Sequence, residues 1–227
     1  LMEPYQPAHY GALWERYGVT ALEHYYSQRV DDVSAVIDRL APVRRRVESQ
    51  GYRLRAYQPD RYDDELRLLY RLSLDIFAEN YLYEPIAWEE FRRLYDPVRR
   101  LIVPELLHFA YAPDGAAAGF LFATIDWQAA AAAASRRRGL AAKLAFWWNR
   151  RRAQAVNLKS LGVVRQFRRS GLGAALMHEG YRRTRQLGYR RANLCLIRDG
   201  NPSGDLDGGV GTPFLRYVLY HLPWVEG

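Results

Sequence analysis

The stretch 155–191 constrains the fold of this chain more than any other. Ala155-Val156-Asn157-Leu158-Lys159-Ser160-Leu161-Gly162-Val163-Val164 reads as a strand, and the residues from Leu172 to about Gly188 read as a helix. Between them runs a tight basic turn, Arg168-Arg169-Ser170-Gly171-Leu172-Gly173. Two glycines one residue apart open the helix, so the backbone can approach a ligand with no Cβ in the way. The first turn of a helix carries N–H groups without intrahelical partners, and the helix dipole makes that end locally positive. Such an end binds phosphate, and Arg168 and Arg169 add formal charge beside it.

This strand, turn and helix resemble the signature of the GCN5-related N-acetyltransferase (GNAT) superfamily: Arg or Gln, two residues, Gly, one residue, then Gly or Ala, after a strand and opening a helix. Arg168, Gly171 and Gly173 fill that pattern. The resemblance implies an α/β fold with a mixed, mostly antiparallel central sheet, flanked by helices and splayed at an acyl-CoA site. The loop Arg168, Arg169, Ser170, Gly171, Leu172, Gly173 and Ala174 would hold the pyrophosphate of an acyl-coenzyme A, with acetyl-CoA the expected donor and another acyl-CoA the alternative. The preceding strand would bulge near Leu161, Gly162, Val163 and Val164 and pair with the pantetheine arm. Asn201 and Ser203 stand where relatives place a coenzyme-contacting Asn. The helix that usually follows is replaced by Gly204-Asp205-Leu206-Asp207-Gly208-Gly209, poor in helix formers. That departure puts in doubt the catalytic Tyr the helix normally carries.

The rest of the chain supplies a matching order of elements. Tyr52 to Tyr57 alternates as a strand, and Asp60 reads as the cap of a helix with Leu66, Leu69, Ile76 and Phe77 on one stripe. A second helix after Pro85 carries Trp88, Phe91, Leu94, Tyr95 and Val98. Leu106 to Ala112 and Ala117 to Trp127 form a hairpin through Pro113-Asp114-Gly115, which combines fixed φ, a local acceptor and free φ. Strand, helix, helix, strand, strand is the first half of a GNAT domain, reached here from periodicity. After the central helix, Arg190 to Arg198 and Phe214 to Leu222 read as strands. On the helix itself Leu176, Met177, Tyr181, Thr184 and Leu187 face one way; His178, Glu179, Arg182, Arg183, Arg185 and Gln186 form the polar face, with His178 read as solvated.

We place the main domain at 51–227. Residues 1–50 precede it: a short helix ending at Gly18, a tyrosine-rich strand to Val30, and a linker helix capped by Asp31 or Asp32 and kinked or split at Pro42. This segment resembles the ending of a GNAT domain. Two readings are open: the tail of a preceding repeat, as in the C-terminal half of a tandem GNAT protein, or an extension packed on the domain. Residues 129–152 form an insertion, alanines followed by a basic helix with Trp147 and Trp148. It reads as a surface helix, a cover for the acceptor site, or a membrane-surface contact through 139–152; no sequence-reading motif supports nucleic acid.

Transfer to an amine needs a polarised thioester and a proton for the leaving thiolate. Tyr217, with Tyr220 as the alternative, is the candidate acid, and Asp126 and Asp199 are candidate bases. The single cysteine, Cys195, excludes an intrachain disulfide and a multi-cysteine metal site. No metal is expected. Net charge is +8, which suits an anionic partner. No apolar run approaches the ~18 residues of a membrane span. The start, Leu1 to Tyr5, lacks the basic end and apolar core of a secretory leader, so the cytoplasm is the expected location. The acceptor amine and the oligomeric state are not legible. A module that binds coenzyme A without turnover, or a basic membrane or nucleic-acid interaction protein, is the alternative to an enzyme.

Overall fold

A computed structural model of the chain describes residues 6–7, 9–80, 83–207 and 209–222. In chain order the elements are α1 (His9–Arg16), β1 (Thr20–Val30), α2 (Val33–Ser49), β2 (Arg53–Ala56), α3 (Tyr62–Phe77), α4 (Trp88–Tyr95), β3 (Leu107–Tyr111) and β4 (Ala117–Ile125). There follow α5 (Gln128–Ser135), α6 (Gly139–Asn149), β5 (Ala155–Val163), α7 (Leu172–Gln186), β6 (Arg191–Arg198) and β7 (Thr212–His221). One seven-stranded sheet runs β2-β3-β4-β5-β6-β1-β7. Every neighbouring pair is antiparallel except β5–β6.

Alternation along the strands sends side chains to two cores. Leu121, Val156, Leu158, Ala192 and Leu194 pack beneath α7 and α2, with Leu172, Leu176, Val36 and Leu40. Phe109 and Phe120 face the other way, against Leu66, Leu69, Leu72, Ile76 and Phe91 of α3 and α4. The period-two and 3.6 patterns thus meet in two layers on one sheet.

The 113–115 turn forms as its chemistry requires: Asp114 Oδ1 accepts the Ala116 N–H at 2.9 Å. Asp60, by contrast, caps nothing. It lies in a 3-10 turn before α3, which begins at Tyr62 without a side-chain cap; Asp63, Asp64 and Glu65 complement its dipole instead. At α2 the cap is Asp32, accepting from the Ser34 N–H at 2.9 Å, and the helix is continuous through Pro42. α2 packs along α7, and β1 is an interior strand paired with both β6 and β7. Segments from 1–50 therefore share the sheet and the helical layer with the later residues.

The polar stripe of α7 is solvated only in part: Arg185 and Gln186 are exposed and Arg182 and Arg183 are half-buried. His178 and Glu179 are nevertheless buried, His178 beside Arg44 and Glu48 of α2 and Glu179 against His108 of β3. Glu179 accepts from Arg182 and Arg183, and His108 Nε2 lies 3.4 Å from its Oε1. Burial opposes its charge, but these neighbours outweigh burial and hold the carboxyl well below the usual carboxylate range.

Candidate functional site

The strands that flank the glycine loop run side by side for four rungs, from Ala155–Arg191 to Leu158–Leu194, and then part. Each strand carries a bulge just past the last rung. On β5 the extra residue is Lys159, since Phe122 opposes Ser160 while Ala123 opposes Leu158. On β6 it falls at Cys195 and Leu196, which oppose the single Ser27 of β1; Leu196 has φ 55° and donates its N–H to Ser27 Oγ at 3.2 Å. The bulge on β5 is therefore earlier than the 161–164 expected from sequence. A bulge re-aims a strand, and two of them at one level open a cleft. Past Leu158 the β6-facing backbone groups of β5 have no strand beside them, which leaves them available to a ligand amide.

At the open end of the cleft, Gly171 takes φ 87° at the N-cap of α7. A side chain there would meet Arg46 Nη2 at 2.9 Å and Val43 at 3.2 Å, so Gly171 serves the contact with α2 as well as the turn. Ser170 closes the turn: its Oγ donates to Phe167 O at 2.7 Å and accepts the Leu172 N–H at 3.2 Å. Helix geometry leaves the N–H groups of Gly173 and Ala174 without intrahelical acceptors. A Cβ on Gly173 would make ordinary van der Waals contact with Leu206 at 3.8 Å and Val163 at 3.9 Å, so the helix start here is lined by these two side chains without being filled by them.

The two arginines of the turn differ. Arg168 is an internal tether, donating to Val163 O, to Ile76 O at the end of α3, and to Glu79. Arg169 has no ion-pair or hydrogen-bond partner among the described residues and is exposed. Arg46 of α2 brings a further guanidinium to Gly171; it lies in the segment read from sequence as a linker, where nothing local points to a site. Leu161 and Val163 line the end of β5. Gly162 is where α3 crosses, since a Cβ there would collide with the Ile76 side chain.

Among the described residues between β6 and β7 no α-helix forms. The loop is instead built on Asp207, fully buried, whose carboxylate accepts from Gln28 Nε2 and from the N–H groups of Gly209 and Gly211, each at 2.8 Å. Leu206 of this loop lies beside Gly173 across the cleft. Asn201 is exposed at the start of the loop; the side chain of Ser203 lies outside the described residues.

Of the two candidate tyrosines, the structure brings one toward the cleft. Tyr217 Oη is 3.3 Å from Ser27 Oγ, the same oxygen that holds the bulge at Leu196. Tyr220 pairs with Ala21, beyond the end of the β1–β6 ladder, and packs edge-on against Trp14 of α1. Asp126 accepts from the Gln128 N–H and flanks Ala155 at the closed end of the cleft, and Asp199 is exposed after β6. Sequence reasoning passed over a buried pair in the last rungs: Asn193 Nδ2 donates to Asn157 Oδ1 at 2.8 Å. They lie on the sheet face opposite Val156, Leu158, Ala192 and Leu194. Its signal was present, since Asn is depleted in strand interiors. Among the described residues no cluster of His, Cys, Asp or Glu is placed to hold a metal ion.

A glycine-capped helix start facing a cleft between parted parallel strands matches a known family profile. The acetyltransferase (GNAT) profile covers residues 66–204. The chain belongs to the GNAT family. Among curated proteins, a bacterial ceramide synthase of Caulobacter vibrioides is 22% identical over 224 residues, covering 95% of this chain and 58% of that one. Among solved structures, a GCN5-related N-acetyltransferase of Sphaerobacter thermophilus superposes with a TM-score of 0.62 at 16% identity, over 94% of this chain and 56% of that one. A tandem GNAT protein of the clavulanic acid biosynthesis pathway gives a TM-score of 0.52 at 16% identity, over 96% and 59%. The chain thus spans a little over half the length of each of these three proteins.

Proposed function

We propose that the chain is an N-acyltransferase that moves an acyl group from an acyl-CoA to an amine. The observation that carries this is the cleft between β5 and β6, opened by paired bulges and ending at the unpartnered N–H groups of Gly173 and Ala174. In this reading the pyrophosphate sits at the start of α7, with Arg169 and Arg46 supplying charge. Leu161, Gly162 and Val163 supply the strand along which pantetheine lies, and Asn201 and Ser203 approach the coenzyme from the loop.

The chemistry then follows from position. A neutral amine attacks the thioester carbonyl; the C–N bond forms, the C–S bond breaks, and the coenzyme leaves as a thiolate. Backbone N–H groups of the bulged strand stabilise the developing oxyanion. Tyr217 donates the proton to the thiolate and is the catalytic residue of choice, Ser27 orienting it. The nitrogen of the acceptor loses its proton to water, and a proton from water returns to the Tyr217 phenolate, so the enzyme is restored. The likeness to a bacterial ceramide synthase supports an amino lipid as the acceptor.

The test is release of free coenzyme A thiol with acetyl-CoA and longer acyl-CoA donors against a panel of short and long-chain amines. Tyr217→Phe is expected to lower kcat roughly 100-fold with donor binding unchanged. Donor binding without turnover on any amine would favour the coenzyme-binding module; no donor binding would remove the reading.

A further inference from the structure

The insertion between β4 and β5 is a pair of helices, α5 and α6, packed on each other. α6 half-covers one side and leaves the other exposed. Ala142, Ala145, Phe146 and Asn149 turn inward, Phe146 stacking edge-on with Trp127 at 5.9 Å. Leu140, Leu144, Trp147 and Trp148 stand 72%, 62%, 54% and 70% exposed. Their spacing of i, i+4, i+7 and i+8 places them on one stripe. Surface apolar residues are normally scattered singly; a contiguous stripe of this kind marks a contact surface.

Its charge says what kind. From Trp127 to His178 the sequence holds no Asp or Glu, while 129–152 holds six arginines and one lysine. These flank the stripe at both ends: Arg136, Arg137 and Arg138 before α6, and Arg150, Arg151 and Arg152 after it, with Arg150 lying 3.7 Å over the Trp147 ring. A partner must accept four large apolar side chains in one plane and supply anions around their rim. A leaflet with anionic headgroups does both, since indole rings settle at the headgroup boundary and arginines meet the phosphates. At 11 residues α6 is far short of the ~20 needed to cross a bilayer, so it lies in the surface.

We infer that α6, with the arginines at its two ends, docks this protein on the surface of an anionic bilayer. The inference does not depend on acyl transfer. It has a consequence for it, however. The insertion joins the end of β4 to the start of β5, whereas the phosphate-loop end of α7 follows the other end of β5. A nine-residue strand is roughly 30 Å long, so a docked α6 leaves the start of α7 in water and brings the closed end of the cleft toward the membrane.

The test is flotation of the full chain with vesicles of phosphatidylcholine alone or mixed with phosphatidylglycerol, without coenzyme. The chain is expected to float with the anionic vesicles, and the double variant Leu144→Glu, Trp148→Glu to bind them at least roughly tenfold more weakly. Because α6 contains no buried residue, the melting temperature of that variant should be unchanged. Lipids brominated on their acyl chains should quench the tryptophan fluorescence of the wild type, and Trp147→Phe, Trp148→Phe should remove the quenching while retaining flotation. Three results would overturn the inference. One is failure of the wild type to float. Another is flotation lost only on changing Arg136, Arg137 and Arg138 to Gln, with equal binding to an oligonucleotide and no quenching. The last is a dimer in sedimentation that the Glu variant dissociates, without vesicle binding by either.

Discussion

Helices α6 and α7 carry their large apolar side chains in opposite directions. α7 buries Leu172, Leu176 and Tyr181 completely, and beside them His178 and Glu179. α6 buries none of its residues and turns two leucines and two tryptophans to solvent. The difference shows that a helical stripe in a sequence records which side chains are polar, not which of them meet water. What covers a helix is decided by distant segments. For α7 these include α2, more than a hundred residues earlier, and β3 at Glu179; for α6 no segment among the described residues covers the stripe.

Substitutions can break this contrast, and the largest effect is expected at Glu179. Replacing it by Ala removes one partner from a buried charge network and should cost about 3–5 kcal/mol, read as a fall in the urea midpoint. Its pKa is depressed in the folded state, so its contribution is complete above the ordinary glutamate value of about 4.3 and is lost as pH falls further. Next comes Gly180, where a Cβ would meet Leu121 Cδ2 at 2.5 Å and Leu121 is itself fully buried. Gly180→Val should destabilise by about 2–3 kcal/mol through overpacking, measured by the same unfolding curve.

A smaller effect belongs to His178. Burial lowers its pKa; Arg44 and Arg182 act with burial, Glu179 and Glu48 against it. Stability should therefore decline as pH drops below the unfolded value of about 6.5. His178→Leu should flatten the pH 7 to pH 5 part of the stability profile by about 1 kcal/mol; an unchanged slope would mean that His178 is not held neutral. The smallest effect is at Leu144 in α6. Leu144→Glu should alter stability by less than about 0.5 kcal/mol. A larger loss would show that the stripe packs against protein after all.

The same contrast explains what the sequence could and could not disclose. The glycine turn, the 113–115 hairpin and the order of elements after 51 were legible because each depends on neighbours in the chain: a positive φ at Gly171, an acceptor at Asp114, a period of two or 3.6. The bulges were legible only in part. Lys159 is extra because of how β5 registers on β4, and Leu196 because of how β6 registers on β1; neither partner is near in sequence. Arg46 reached the glycine loop, and Gln28 reached Asp207, through pairings that span well over a hundred residues. Of the site itself, Gly171, Gly173 and Ser170 sit where the motif put them. Arg168 sits there too, yet its guanidinium is occupied by Val163, Ile76 and Glu79, which a motif cannot reveal.

The central claim is that the start of α7 and the cleft beside it receive the coenzyme. Gly173 is the position at which to test it, because a Cβ there makes only ordinary van der Waals contact, with Leu206 and Val163. We would titrate the chain and its Gly173→Val variant with acetyl-CoA and a long-chain acyl-CoA in a calorimeter, after checking that their melting temperatures agree. The account predicts micromolar binding of at least one donor by the wild type, and binding weakened roughly tenfold or more in the variant. Equal affinity in the two proteins, or no binding of either donor by the wild type, would contradict it.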